Sequence, residues 1–190
     1  MRLFIALETP EPLRREIAAL ADRLRHELPW ARWVRAENLH LTLVFLGETA
    51  PDRLPSLAAH LAPAFGQHPP LRLRVRGAGT FPSGRAARVA WLGVAGGSEL
   101  AALQAALAEA AAKAAGVELE RRPFHAHLTL ARPARPWPPR AVERFLASAD
   151  RPRGEPFEVA QGVLLESQLG AGGARYRTVE AFPLAGRAPQ

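Results

Sequence analysis

The sequence predicts an α+β protein in which two similar lobes, each with a mainly antiparallel sheet and flanking helices, face each other across a central cleft. Two observations predict this fold. Segments with strand and helix periodicity follow the order β-α-β-α-β-β-α-β-α-β-β, which has too few helices for a doubly wound parallel sheet. The tetrapeptide HLTL occurs at 40–43 and again at 127–130, and the elements around it repeat approximately. Such a repeat indicates two similar units, so we expect residues 1–190 to form a single domain made of two similar lobes.

The first half of the chain contains three predicted strands and two predicted helices. Residues 2–7 are a short apolar run that is typical of a buried strand. A helix is expected over 11–27, with Thr9 as its N-cap, because apolar residues recur there at helical spacing. The remaining elements are a strand over 39–47, a Pro-punctuated helix over 52–64 and a half-exposed strand over 71–77.

With the strand over 87–94 added to the first half, each half has a helix, an HLTL strand, another helix and two strands. A helix is expected over 98–115, because Ala and Leu dominate the segment and Gly116 stands where the helix would end. The other elements are strands over 87–94 and 124–132, a helix over 139–148, and two final strands over 157–167 and 176–184.

Composition limits the class of protein. Hydrophobic residues make up 48% of the 190 residues, which is enough to bury a sizeable core. The absence of Cys excludes disulfides, thiolate metal sites and a Cys nucleophile. The N-terminus becomes polar too soon for a signal peptide, and no apolar run approaches transmembrane length. We therefore expect a cytoplasmic protein, monomeric and without a membrane partner.

Positive charge dominates and is almost entirely guanidinium. Lys and Arg number 25 against 18 Asp and Glu, and Lys113 is the only Lys. Guanidinium groups suit forked hydrogen bonding to phosphate, although a coding bias toward Arg explains the excess equally well. Arg72, Arg74 and Arg76 alternate with apolar residues, which indicates either an ordinary solvated strand face or a stripe that follows an RNA backbone.

The two HLTL strands each present a His and a Thr on one face. Side chains alternate across a strand, so residues two apart share a face. The predicted core faces are Leu39, Leu41, Leu43 and Phe45 in the first strand, and Phe124, Ala126, Leu128 and Leu130 in the second. The predicted opposite faces are His40 and Thr42, with Val44 and Leu46 beyond them, and His125, His127 and Thr129.

Two imidazoles in one site can act as a general acid and a general base. A single His-x-Thr on an alternating strand would usually just face water, but two copies at corresponding points of a repeat favour a shared site. One imidazole can accept a proton while the other donates one, which suits attack and departure on opposite sides of a phosphodiester. The Thr hydroxyls would hold the non-bridging oxygens. Two coupled imidazoles also predict a bell-shaped pH–rate profile with both arms near neutrality.

The segments ENLHLTLVFLGE, RPFHAHLTLAR and ES…GARYRTVEAFPL resemble the RNA 2′,3′-cyclic phosphodiesterases, also called 2′-5′ RNA ligases, of the 2H phosphoesterase superfamily. The resemblance extends from RLFIALE to FPL, over nearly the whole chain, and implies a single 2H phosphoesterase-like domain. It departs from the family at Ala126, where relatives often carry Pro.

This resemblance implies hydrolysis of RNA or oligonucleotide 2′,3′-cyclic phosphate ends to 2′-phosphomonoesters without a metal or other cofactor, with reversible 2′-5′ ligation as a related reaction. It implies that His40 protonates the 3′ leaving oxygen and His127 activates water. Thr42, Thr129 and Arg132 would hold the phosphate.

Other interpretations of the same residues remain open. His125 and His127 form an H-x-H pair as in several zinc sites, but no Asp or Glu lies in the strand or in the loop just after it. Strict alternation places Arg132 on the core face, so either the strand ends at Ala131 and the side chain turns into the cleft, or it reaches out to solvent. His125 and Tyr176 are candidates for lining the cleft. A non-catalytic basic RNA-binding module is the alternative function, and it predicts salt-sensitive binding that is indifferent to both catalytic His candidates.

Overall fold

The computed structural model describes residues 1–28, 30–84, 86–116, 122–149, 153–170 and 173–187. Nine strands and four α-helices are formed within these ranges. The strands are β1 (Arg2–Glu8), β2 (Ala31–Trp33), β3 (His40–Glu48), β4 (Leu71–Phe81), β5 (Val89–Ala95), β6 (His127–Pro133), β7 (Arg153–Val159), β8 (Gln161–Gly170) and β9 (Gly173–Pro183). The helices are α1 (Glu11–Glu27), α2 (Leu54–Gly66), α3 (Gly97–Ala115) and α4 (Pro139–Ala149), with 3-10 turns at Ala36–Asn38 and Pro51–Arg53.

The strands form one antiparallel sheet in the order β7-β4-β5-β6-β3-β1-β8-β9, with β2 paired to the far end of β6. The predicted α+β class with antiparallel pairing is confirmed. The two predicted sheets are the halves of this single sheet, because β3 and β6 join them through one residue pair, Leu41 and Leu128. Beyond that pair the halves diverge, and β2 takes the place of β3 beside β6.

All four helices pack on one face of the sheet. Apolar residues of every helix, among them Ile17, Leu61, Leu107 and Phe145, belong to the same buried cluster as Leu41. The opposite face is open, and its largest apolar feature is a small separate cluster of Phe4, Ala6, Val163 and Leu165 with Tyr176 packed against it. None of the helices in the described ranges has the length and apolarity needed to cross a membrane.

The sequence expectation for the segment after α4 is wrong in a way that changes the topology. The segment 157–167, predicted as one strand, breaks at Ala160 into the ends of β7 and β8. These strands lie in opposite halves of the sheet, β7 beside β4 and β8 beside β1. Apolar alternation continues on both sides of the break, so periodicity alone does not reveal that the chain changes neighbours.

Thr9 is not the cap of α1. The helix begins at Glu11, with Pro10 as an extended N-cap residue and Pro12 in the first turn, and no side chain caps it. The Thr9 hydroxyl is buried and instead donates a hydrogen bond to the Leu39 carbonyl at 2.9 Å. This bond fixes the backbone immediately before His40.

Candidate active site

One residue pair brings the two HLTL segments together. Leu41 and Leu128 face each other in the antiparallel register between β3 and β6, and both side chains are buried under the helices. Neighbours of a paired residue point to the opposite face of a sheet. His40 and Thr42 therefore share the open face with His127 and Thr129, with the register setting each His across from the other strand's Thr. A single pairing thus brings four polar side chains to one place.

Both strands contain a β-bulge at the last Leu of HLTL. On β1, Ile5 pairs with Val44 and Ala6 pairs with Thr42, so Leu43 has no partner there. On β5, Ala90 pairs with Ala131 and Trp91 pairs with Thr129, which likewise leaves out Leu130. A bulge inserts one extra residue and reverses the later alternation.

The bulges correct the predicted faces beyond the motif. In both strands the residue after the bulged Leu is buried and the next one is exposed. Val44 and Leu46 are therefore core residues, whereas Phe45 is 69% exposed on the His40 face. Arg132 occupies the corresponding position in β6, where it is exposed although the strand continues to Pro133. It thus neither lies in the core nor requires the strand to end at Ala131.

Each imidazole is oriented by a backbone carbonyl two residues earlier. His40 Nδ1 lies 2.7 Å from the Asn38 carbonyl oxygen, and His127 Nδ1 lies 2.6 Å from the His125 carbonyl oxygen. A carbonyl only accepts, so each Nδ1 carries a proton and donates it. In the neutral ring this leaves the lone pair on Nε2. His40 Nε2 lies 3.1 Å from Thr42 Oγ1 and accepts its hydroxyl proton.

His40 lies against an apolar and aromatic wall. Its ring centroid is 4.9 Å from that of Phe4 and 5.0 Å, edge-on, from that of Tyr176. Burial against this wall is the main cause that lowers the pKa of His40 from 6.5 to about 4. The positive charges of Arg132 and His127 lower the pKa further, whereas the bond to the Asn38 carbonyl opposes the shift.

Two further contacts hold the His40 side of the site. The Asn38 side chain donates a hydrogen bond to the Ala174 carbonyl on β9 at 2.8 Å. This contact ties the residue that orients His40 to the strand that carries Tyr176. Together with the bond from Thr9, it immobilises both residues that precede His40.

His127 has different neighbours. Its ring lies 5.1 Å from Phe81, nearly perpendicular, and about 6.1 Å from both Trp91 and His125. Burial again contributes most to lowering its pKa, followed by the charges of His125 and Arg132, and the His125 carbonyl opposes the shift. The backbone before the motif is held because Val94 N–H donates to the Ala126 carbonyl at 2.9 Å.

Two arginines lie side by side at the end of the site. Arg32 on β2 is directly opposite Arg132 on β6, so the two exposed side chains share a face. Like charges opposite each other are unfavourable unless an anion lies between them. The positive charge of Arg132 acts on His40, His127 and Tyr176, which places it beside the imidazoles. The pair is therefore suited to bind a phosphate.

The structure brings together six of the seven predicted site residues around the two strands, and the seventh, His125, lies two residues before β6. Its ring packs against Trp91 at 4.5 Å and is exposed. No group of three or more His, Asp or Glu residues arranged to hold a metal ion occurs in the part of the chain that is described. Tyr176 is half-buried beside His40, and burial raises the pKa of its phenol.

Four residues of the site were not among the predicted site residues, although Trp91 is one of four Trp residues in the sequence able to stack a base. Phe4, Phe81, Trp91 and Arg32 contact or flank the predicted residues but lie on other strands. Strand alternation could have selected Trp91 as a residue of the open face, yet only the β5–β6 register puts it beside Thr129. No local pattern distinguishes Arg32 from the other surface arginines.

Comparison with known proteins agrees with this geometry. The family model of the 2′-5′ RNA ligase superfamily matches residues 9–170. An RNA 2′,3′-cyclic phosphodiesterase of Thermus thermophilus is 34% identical over 98% of this chain and 91% of its own. One from Geobacillus stearothermophilus is 31% identical over 96% of this chain, but the chain spans only 57% of that relative's length. The crystal structure of the Thermus thermophilus protein TT0787 superposes with a TM-score of 0.83, 28% identity and coverage of 99% and 100% of the two chains.

The family match spans both HLTL strands, and the superposition covers 99% of the chain. The shared motif, the shared fold and an identity above 30% over almost the full chain all support membership of the same family. This chain belongs to the 2′-5′ RNA ligase superfamily.

Proposed function

We propose that the protein hydrolyses the 2′,3′-cyclic phosphate at the end of RNA to a 2′-phosphomonoester. The observation that carries this proposal is the pair of imidazoles, each held through Nδ1 by a carbonyl, that share one face with two Thr hydroxyls. Two proton-transfer groups and a set of phosphate-binding donors are what opening of a cyclic phosphodiester requires. The names of the relatives support RNA as the substrate class.

In the proposed reaction His127 Nε2 accepts a proton from a water molecule, and the water oxygen attacks phosphorus. The bond between phosphorus and the 3′ oxygen breaks as His40 Nε2 donates a proton to that oxygen. Thr42, Thr129 and Arg132 hold the non-bridging oxygens, where negative charge accumulates. The cycle leaves His127 protonated and His40 neutral, and exchange with solvent restores both.

The lowered pKa values change the expected pH dependence. With the pKa of His40 at about 4 and that of His127 below 6.5, both rings are neutral at pH 7 in the free protein. The optimum of kcat/KM is therefore expected on the acid side of neutrality rather than centred on it. A bound phosphate anion favours imidazolium, so the profile of kcat should be displaced to higher pH.

The proposal is tested with a short RNA that ends in a 2′,3′-cyclic phosphate, in excess chelator. We expect turnover that persists with chelator and a product that is a 2′-phosphate by phosphorus NMR. His60→Ala is the matched control, because His60 is exposed on α2 and lies outside the site. Absence of turnover in the unsubstituted protein, or full turnover in both His40→Ala and His127→Ala, would refute the proposal.

We also propose the features that go with this activity: a single domain over 1–190 made of two similar lobes, a monomeric state and a cytoplasmic location. The burial pattern shared by 40–46 and 127–133 supports the two similar lobes. Reversible 2′-5′ ligation would use the same groups with a ribose 5′-hydroxyl in place of water. Adding an RNA with a 5′-hydroxyl to the assay should then yield a joined product that His40→Ala does not form.

A further inference from the structure

We propose that the RNA chain on the 5′ side of the cyclic end leaves the site across the half of the sheet that carries His127. There it is bound by the arginine row, which we define as Arg72, Arg74 and Arg76 on β4. This inference rests on the proposed function, and it adds the path of the substrate and a preference for oligonucleotides over mononucleotides.

The sheet register places the arginine row on the open face. Leu71, Leu73 and Val75 are buried under the helices and the three arginines between them are exposed. Arg74 is opposite Ala95 on β5, and Ala95 shares a face with Trp91 two pleats away. Trp91 is in turn opposite Thr129 on β6. The row therefore lies on the same face as His127 and Thr129.

A cavity lies between Arg76, the inner end of the row, and His125, two residues before His127. It has a volume of about 370 Å³, and Arg76, Trp91, Gly93 and His125 are among its lining residues. Its wall depends on Gly93, because a Cβ there would lie 2.4 Å from the Arg76 carbonyl oxygen. The cavity offers an indole and an imidazole 4.5 Å apart to a base, next to the carbonyl of His125 that orients His127. Stacking on aromatic rings is how proteins bind single-stranded bases without strong sequence preference.

The charge of the row is available to a ligand. Among the described residues, no ion pair involves Arg72, Arg74 or Arg76. Glu158 on β7 is opposite Arg72, so the positive potential is greatest at the inner two arginines. Alternate residues of a strand are about 6.6 Å apart, a spacing similar to that of phosphates along an extended RNA strand.

The other half of the sheet is a poorer path for a phosphate backbone. Its open face beside His40 is the apolar cluster of Phe4, Ala6, Val163 and Leu165, with Tyr176. Arg177 on β9 is ion-paired with Glu166 at 2.9 Å. Glu166 is opposite Leu3, a residue of the helix-covered core, so this pair lies on the other face. Arg2 adds one positive charge near Tyr176 on this half, whereas the arginine row places three in line, which favours the His127 side.

The experiment compares adenosine 2′,3′-cyclic monophosphate with an RNA octamer that ends in the same cyclic nucleotide. The variant is Arg74→Gln with Arg76→Gln, and the control of equal charge is Arg15→Gln with Arg23→Gln on the helix-covered side. We expect the ratio of kcat/KM for the octamer to that for the mononucleotide to fall about tenfold in the variant but not in the control. The slope of log kcat/KM against log salt for the octamer should fall by about 1.4 in magnitude, for two lost phosphate contacts.

Binding of an octamer that ends in a 2′-phosphate, measured by fluorescence anisotropy, separates RNA binding by the arginine row from the proposed catalytic function. If the unsubstituted protein turns over neither substrate but the variant binds this octamer more than fivefold more weakly, RNA binding by the arginine row is supported and the proposed function is refuted. If the protein is active and neither the ratio nor the binding distinguishes variant from control, the arginine row is refuted. Thermal unfolding confirms that the exposed substitutions leave the fold intact.

Discussion

The strands β3 and β6 build the two sides of the site on the same backbone plan and then surround it differently. In both, a carbonyl two residues earlier accepts from His Nδ1, a Thr follows the His by two, and a bulge falls on the next Leu. The surroundings diverge after that. His40 lies against Phe4 and Tyr176, with exposed Phe45 beyond, whereas His127 lies beside Phe81 and Trp91, with Arg132 at the position of Phe45.

The difference in surroundings supports the division of roles that we propose for the two imidazoles. The backbone fixes which nitrogen faces the substrate, and this is equal on both sides. The environment fixes how readily that nitrogen holds a proton. His40, more deeply desolvated, has the lower pKa and is the stronger proton donor once a bound anion has charged it. Burial also lowers the pKa of His127, so its ring is neutral and can accept the proton that the proposed reaction assigns to it. We therefore infer that the shared template was specialised by side chains outside the motif.

The largest effect is expected on removing either imidazole. His40→Ala and His127→Ala should each lower kcat/KM by about 10³-fold, because both proton transfers occur in the transition state. The double substitution should be little worse than either one, since the groups act as a unit. Steady-state kinetics on a cyclic-ended RNA measure this. Effects that simply multiplied in the double variant would show that the two sides act independently.

The next largest effect tests the position at which the two strands differ. Arg132→Gln removes a charge-assisted bond to phosphate worth about 1.5–3 kcal/mol, so kcat/KM should fall by roughly 10- to 150-fold. Because the charge of Arg132 lowers the pKa of both imidazoles, both should titrate at higher pH in the variant.

Phe45→Gln is the matched change on the other strand, where there is no charge to lose, and it should alter kcat/KM several-fold at most. Equal losses in the Arg132 and Phe45 variants would contradict the proposed asymmetry between the two strands.

A smaller effect is expected at the hydroxyl that contacts His40. Thr42→Val keeps the shape but removes the hydroxyl that donates to neutral His40 Nε2 in the free protein and, once His40 is protonated, to the phosphate, so kcat should fall about tenfold. Thr129→Val removes the donor alone and should have the weaker effect. Single-turnover rates for the two variants provide the comparison, and a greater loss at Thr129 would reverse it.

The smallest effect is a shift in titration. Tyr176→Ala admits water beside His40 and should raise its pKa from about 4 toward 6.5 while leaving that of His127 nearly unchanged. Phe81→Ala is the corresponding change beside His127. Imidazole proton shifts followed by NMR across pH 3–8 report both rings. If both variants moved both rings equally, the pKa values would reflect overall charge rather than local burial.

The same pKa values give a stability prediction. The unfolded chain binds protons to His40 near its ordinary pKa of 6.5, whereas the folded chain does so only near 4. Stability should therefore rise with pH across this window, by up to about 3 kcal/mol from this residue. The free energy of unfolding, measured with denaturant, should differ less between pH 4.5 and pH 7 in His40→Asn than in the unsubstituted protein. An unchanged difference would contradict the burial of a neutral ring.

Local sequence patterns were sufficient for the four α-helices and the motif, but not for β2 or for the break between β7 and β8. Alternation predicted that His40, Thr42, His127 and Thr129 share the face opposite the Leu residues, and the repeat predicted that the strands belong together. The same alternation was wrong at Phe45, because a bulge depends on partners in β1 and not on the strand itself. Thr9 likewise has a good capping side chain, but its hydroxyl bonds to a carbonyl 30 residues away.

The sequence by itself determined the chemical groups: two imidazoles and two hydroxyls at repeated spacing, and one arginine, on strands whose other face is apolar. Tertiary structure decided how these groups are arranged and what surrounds them. The pairing of Leu41 with Leu128 set the two motifs side by side, and the bulges turned Arg132 to the open face. Packing against Phe4 and Tyr176 separated the environment of His40 from that of His127. Desolvation and charge depend on neighbours distant in the chain, so no local pattern encodes them.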